Sequence, residues 1–249
     1  MSVRKNILGV PVDMVNMDGA KVIFDDIMNT EGVGVIVTPN SEIVVNAGKD
    51  DELKEIIVNA DLVIPDGIGL VYASKILGYE LRERVTGIDF LSEAIEYLQK
   101  NGKSLYLLGS KNSEPKTVAQ MAAKNMCKQY PELKIAGTHH GYFKPDEEKG
   151  IIDDINDSGA DFLCVALGSP KQEKFINKYK EVLKVKGAIG VGGCLDVWAG
   201  NVERAPEFYR EHGLEWFYRL IKQPSRFKRM GALPVFMTKV LKSRLKGEK

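Results

Sequence analysis

Apolar residues fall along this chain in two alternating rhythms. Short, almost wholly apolar runs rich in Val, Ile and Leu recur at residues 7–12, 33–38, 62–64, 104–108, 134–138, 162–167 and 188–191. Between them, residues 18–29, 50–59, 70–77, 89–99, 114–129, 147–156 and 172–183 carry apolar positions at helical spacing. Runs apolar throughout predict strands buried on both faces, and strands alternating with helices predict a parallel sheet. The expected class is therefore α/β: a Rossmann-like, mostly parallel sheet with helices on both faces. No internal repeat or Pro/Gly/Ser-rich linker interrupts it.

The rhythm changes near residue 200. Pro206, Pro224 and Pro234 punctuate helical stretches in which Trp216, Phe217, Leu220, Ile221, Phe227 and Met230 alternate with Arg219, Lys222, Arg226, Lys228 and Arg229. The division expected is an α/β catalytic domain over 1–200 and a helical, basic appendage over 201–249. Charge sharpens this. The net charge is only +1, yet 216–249 holds ten Lys and Arg against one acid, Glu248. That segment stands at +9 and the rest at −8, which implies an anionic partner for the appendage. Basic residues interleaved with Trp and Phe suit a membrane surface better than a solvated helix.

Other bulk features narrow the setting. Cys127, Cys164 and Cys194 are far apart and form no disulfide framework, which favours a reducing, cytoplasmic location. No run approaches the ~18 apolar residues that span a bilayer, and the opening residues do not resemble a signal peptide.

Ligands of open parallel sheets bind beyond the carboxyl ends of the strands. The residues there are Thr38-Pro39-Asn40-Ser41, Pro65-Asp66-Gly67, Gly109-Ser110, His139-His140-Gly141, Gly168-Ser169-Pro170-Lys171-Gln172 and Gly192-Gly193-Cys194-Leu195-Asp196. Asp66, flanked by Pro65 and Gly67, is a candidate general base, or else a helix N-cap. The turn Gly190-Val191-Gly192-Gly193 offers N–H groups to a phosphate, or is a plain tight turn. Asp196 could accept hydrogen bonds from a ribose or a uracil. Pro170 reads as a first helical turn capped by Ser169, with Lys171 and Gln172 in reach of a ligand. His139 and His140 are adjacent, should point opposite ways on extended backbone, and lack a second ligand at helical spacing. Neither a zinc motif, a GxSxG elbow nor an Asp-x-Asp run is present. A bound diphosphate would then need protein cations: Arg84, Lys171 and the appendage arginines.

Thr38-Pro39-Asn40, Pro65-Asp66-Gly67, Arg84-Val85-Thr86-Gly87, Gly168-Ser169-Pro170-Lys171-Gln172-Glu173, Gly190-Val191-Gly192-Gly193, Arg204-Ala205-Pro206 and Glu215-Trp216-Phe217-Tyr218-Arg219-Leu220 with Pro224-Ser225-Arg226 occur in that order. Together they resemble the WecG/TagA/CpsF glycosyltransferases over essentially the whole chain. The resemblance implies inverting, metal-independent transfer with no cofactor. In TagA-like members N-acetylmannosamine passes from UDP to the 4-hydroxyl of undecaprenyl-diphosphate-linked N-acetylglucosamine, committing the lipid to wall teichoic acid. Carried onto this chain, the resemblance makes Asp66 the general base, with Thr38 and Asn40 beside the donor sugar. Arg84 and Gln172 would line the pocket. Lys171, Gly192, Gly193 and Asp196 would meet the nucleotide, and Arg219, Arg226 and Arg229 the leaving diphosphate. The expected location is the inner face of the cell membrane, peripherally attached. A homo-oligomer is left open, and no nucleic-acid partner is expected.

Rival readings are the same family with another donor (UDP-N-acetylmannosaminuronic acid or UDP-glucose), a nucleotide-binding oxidoreductase, and a non-catalytic basic scaffold. The oxidoreductase needs a GxGxxG turn after its first strand, which Gly9-Val10-Pro11-Val12 does not supply. The scaffold leaves the polar residues at several strand ends without a purpose.

Overall fold

The computed structural model describes residues 3–79, 81, 84–222, 224 and 231–247. Six parallel strands form one sheet in the order β4 (Leu62–Val63), β3 (Gly34–Val37), β8 (Gly187–Gly190), β7 (Phe162–Ala166), β5 (Ser104–Gly109) and β6 (Lys134–His139). The helices are α1 (Met17–Asn29), α2 (Ser41–Ala47), α3 (Asp51–Val58), α4 (Ile68–Leu77), α5 (Gly87–Lys100), α6 (Val118–Gln129), α7 (Glu148–Asp157), α8 (Lys171–Tyr179) and α9 (Cys194–Trp198). They are followed by α10 (Glu207–Glu211), α11 (Glu215–Lys222) and α12 (Ala232–Lys246).

The sheet is buried on both sides because successive side chains of a strand leave it on opposite faces. Val35 and Val37 enter one core with Tyr106, Leu108, Leu163 and Val165. Ile36 enters the other with Leu105, Leu107, Phe162 and Cys164. At ~1.5–3 kcal/mol for each fully buried large apolar side chain, both faces contribute heavily to folding. Phe24 of α1 meets Phe90, Tyr97 and Phe162 edge-on, with centroids 5.7, 5.2 and 5.1 Å away. Its helix lies so close to the sheet that a Cβ on Gly34 would stand 2.5 Å from Ile27.

Aspartates secure the amino end of the sheet. Asp61 and Asp161 immediately precede β4 and β7. Asp61 accepts the Val35 N–H at 2.7 Å, and Asp161 accepts the Ser104 N–H at 2.7 Å. Each returns its own N–H to the same neighbour's carbonyl, at 2.9 and 3.1 Å.

Three local expectations change. Residues 7–12 are not one strand but the turn of a hairpin, β1 (Arg4–Ile7) against β2 (Val10–Asp13). The Gly9 N–H donates to Asn6 Oδ1 at 2.6 Å, and Leu8 and Gly9 take left-handed φ values of 57° and 88°. This hairpin guards the sheet edge: buried Asp13 accepts the Val63 N–H at 2.7 Å and pairs with Arg4 at 3.0 Å. Helix α6 starts at Val118 and not at 114, because Thr117 and Gln120 form a capping box. Helix α2 was not anticipated; its apolar residues follow β3 directly.

Beyond residue 200, α12 packs on α2 and α4. Its Phe236 and Val240 are fully buried in the core that also holds Val44, Ala73 and Leu77. Among the described residues no helix is long and apolar enough to cross a membrane.

Candidate active site

A pocket opens beyond the carboxyl ends of β3, β4 and β8, with α11 and the start of α12 as its outer wall. It is lined by Asn40, Asp66, Arg84, Glu215, Trp216 and Arg219, with Ile68, Ile88 and Leu233 as apolar surface. The loops are tied together by backbone, since the Asp66 N–H donates to the Pro39 carbonyl at 2.9 Å. Gly67, at φ 99°, is the N-cap residue of α4 and no side chain caps that helix. The cap alternative for Asp66 therefore falls, and its carboxylate faces the pocket. Asn40 does cap a helix: its Oδ1 accepts the Glu42 and Ile43 N–H groups at 2.9 and 3.1 Å. That fixes its side chain at the pocket wall.

Asp66 is the perturbed carboxyl of the site. Burial pushes it up from 3.8 to about 6, against the pull of Arg84, Arg219 and the Gly87 N–H at the start of α5, while Glu215 adds to the rise. A carboxylate near 6 is ionised at neutral pH yet far more basic than an ordinary aspartate, as a general base requires. Burial also raises the Cys194 thiol to about 12, with Asp66 adding to it, so this cysteine stays protonated.

The cations come from opposite sides. Arg84 precedes α5 and Arg219 sits on α11, and both pair with Glu215: Arg84 Nη2 lies 2.5 Å from Oε2, and Arg219 Nη2 bonds Oε1. A second link joins the segment after residue 200 to the preceding chain. Arg204 pairs with Asp89, whose other oxygen accepts the Thr86 hydroxyl at 2.5 Å. Burial alone would raise Asp89, but Thr86 and Arg204 outweigh it and hold its carboxyl below the usual range.

The remaining expected residues form a neighbouring group. Gln172 is corrected: it does not line the pocket but is 4% exposed. Its Oε1 accepts the Gly168 and Gly192 N–H groups at 3.1 and 3.0 Å, clamping the β7 and β8 loops, while its amide donates to Glu173 at 2.9 Å. A helix start with Gln at this position is thereby explained by loop anchoring. Ser169 is corrected too, since Pro170 is the N-cap residue of α8 and no side chain caps that helix. Asp196 accepts the Ser110 hydroxyl at 3.1 Å. Thr38 lies between the Gly190 carbonyl, 3.5 Å from its hydroxyl, and the start of α5. Lys171 and Gly193 are exposed outside the pocket, and Gly192 holds φ 48° beside Gln172. Arg226 and Arg229 lie outside the described residues. His139 and His140 do not point apart: their rings are 4.6 Å centroid to centroid, and His139 Nδ1 lies 2.8 Å from the His140 carbonyl, which can only accept.

Sequence reasoning assigned no role to Glu215, Asp89 or Thr86. The spacing of Glu215 and Arg219, one helical turn, is the signal that could have found the first. Among the described residues no three His, Cys, Asp or Glu groups come together to hold a metal ion.

Residues 5–249 match the family model described as glycosyl transferase, WecG/TagA/CpsF family. The chain is 33% identical over 250 residues to a Staphylococcus aureus protein, covering 99% of this chain and 95% of the relative. It is 38% identical over 208 residues to one from Bacillus subtilis, covering 84% and 79%. It is 37% identical over 207 residues to one from Bacillus spizizenii, covering 83% and 78%. All three relatives are named N-acetylglucosaminyldiphosphoundecaprenol N-acetyl-beta-D-mannosaminyltransferase. The oxidoreductase alternative is not favoured.

Proposed function

The chain belongs to the WecG/TagA/CpsF glycosyl transferase family, and from that premise we propose that it moves N-acetylmannosamine from UDP to the 4-hydroxyl of undecaprenyl-diphosphate-linked N-acetylglucosamine. The acceptor follows the names of the relatives. The UDP donor and the step's place in wall teichoic acid linkage follow the resemblance of the motifs. The observation that carries the reading is Asp66, poised near 6 in a pocket that also holds two guanidiniums.

In this reaction Asp66 takes the proton of the acceptor hydroxyl as its oxygen attacks C1 of the donor sugar. The bond from C1 to the diphosphate oxygen breaks, and UDP leaves with the electron pair. Attack from the face opposite the leaving group inverts the anomeric carbon. Negative charge grows on the diphosphate, and fixed N–H donors aimed at that charge lower the barrier. Arg84 and Arg219 supply them, with Arg226 and Arg229 assigned to the same task on the resemblance alone. Thr38 and Asn40 would flank the sugar, while Ser110, Lys171, Gly192, Gly193 and Asp196 would meet the nucleotide. With this cationic wall no metal is required.

The protein would work peripherally at the inner face of the membrane. Exposed Phe217 and Ile221 on α11, and Leu241 and Leu245 among the lysines of α12, favour such a surface. The test is UDP release from UDP-N-acetylmannosamine with a short-chain N-acetylglucosamine diphospholipid, with and without EDTA. Acceptor-dependent release that survives EDTA is expected. Release that is strictly restored by Mg²⁺ or Mn²⁺ would overturn the metal-free account. The absence of release with this donor, but release with UDP-glucose or the uronic acid donor, would reassign the sugar.

A further inference from the structure

Glu215 takes no part in the transfer described above, yet it is only 5% exposed in the pocket wall. An ionised carboxylate that deep is costly unless compensated. Its compensation comes from two parts of the chain. One oxygen holds Arg84, 131 residues earlier in the body, at 2.5 Å, and the other holds Arg219 on its own helix. Two guanidiniums standing this close would repel each other without the carboxylate between them. Each guanidinium has five N–H donors. Glu215 engages a terminal nitrogen of each, and among the described residues Arg84 Nε is buried with no hydrogen-bond partner. Donors therefore remain for a ligand's oxygens.

We propose that Glu215 is a positioning residue, a charge bridge that sets Arg84 of the body and Arg219 of α11 side by side where the leaving diphosphate gathers charge. The bridge ties two guanidiniums from distant parts of the chain into one cationic wall of the pocket. It acts through the arginines and does not touch the reacting atoms. The inference rests on the reading that a sugar diphosphate occupies this pocket.

A double-mutant cycle tests it, read as donor kcat/KM with melting temperature and calorimetric UDP affinity measured alongside. Glu215→Gln keeps the size and removes the charge, and it should lower kcat/KM about tenfold or more, the scale expected for lost charge-assisted pairing. Glu215→Asp keeps the charge and should recover part of the loss. In an Arg219→Gln background Glu215→Gln should cost no more than about threefold further, because residues acting through one another are not additive. Should Glu215→Gln fail to fold, the same cycle is run with Glu215→Asp. Fully additive losses, or a loss that tracks the melting temperature and is not eased by aspartate, would overturn the bridge and leave the function standing. A wild-type protein that neither binds UDP nor turns over would bring down the reading of the site, and this inference with it.

Discussion

At the amino end of the sheet, Asp61 and Asp161 each give a carboxylate oxygen to a neighbouring strand's N–H at 2.7 Å. At the carboxyl end, Asp66 follows β4 by three residues, and burial raises its pKa to about 6 against the pull of two guanidiniums. The residue type and the sheet are the same, and the surroundings differ. The first pair satisfies backbone groups that would otherwise be unpaired, so its effect falls on stability. The third is kept partly desolvated, which costs stability and leaves basicity for a ligand's proton. In the six-stranded sheet these aspartates are thus fasteners at the amino end, while the one beyond the carboxyl end of β4 is left available to a ligand.

The comparison breaks most sharply at Asp66. Asp66→Asn should lower transfer about 10²–10⁴-fold, the usual cost of losing a general base, with UDP affinity nearly intact. Activity within threefold of wild type would end its role. Acid supplies a second route to the same loss. As pH falls through about 6 the base is protonated, so kcat/KM should drop about tenfold per unit below that point. An acidic limb near 4 would show that Asp66 is not the group titrating.

The other arm of the comparison predicts the reverse. Asp161→Ala strands the Ser104 N–H, and it should cost about 1–3 kcal/mol in denaturant unfolding while kcat of the folded enzyme stays near wild type. A large fall in kcat would mean that the two ends are not separable.

The smallest effect concerns stability at Asp66 itself. Its folded pKa lies above the unfolded value, so the neutral form is favoured by folding. That advantage is fully present below 3.8 and disappears as pH rises through about 6. The shift corresponds to at most about 3 kcal/mol, and the open pocket mouth reduces it. Asp66→Asn should therefore stabilise the protein at pH 8 by about 1–2 kcal/mol, and by nothing at pH 3.5. An unchanged or lower unfolding free energy at pH 8 would contradict the desolvated carboxylate.

Much of this division was legible in the sequence. Strands β3, β4, β5, β7 and β8 read clearly because both of their faces are buried, which leaves apolar runs with no polar alternation. Asp66 could be found because it follows such a run. Helix α2 escaped notice because its seven residues, SEIVVNA, are nearly as apolar as the strand before them. Its signal was Asn40, a cap residue that also lines the pocket. The hairpin was missed because Leu8 is apolar and hides a left-handed turn. Gln172 was placed on the ligand because its partners, Gly168 and Gly192, are backbone groups that no side-chain pattern advertises. Glu215 eluded the reading for a different reason: half of its meaning lies in Arg84, and nothing local connects them.

Gln172 also bears on how this cleft can be re-engineered. One amide oxygen fastens two loops, and a Cβ on Gly190 would stand 2.5 Å from the same side chain's nitrogen. Positions 168, 172, 190 and 192 therefore behave as a single mechanical joint, and changing one in isolation loosens both loops or jams them. A library aimed at a different nucleotide on the donor would do better to hold that joint fixed and to place its diversity at Lys171 and Gly193, which are exposed beside it.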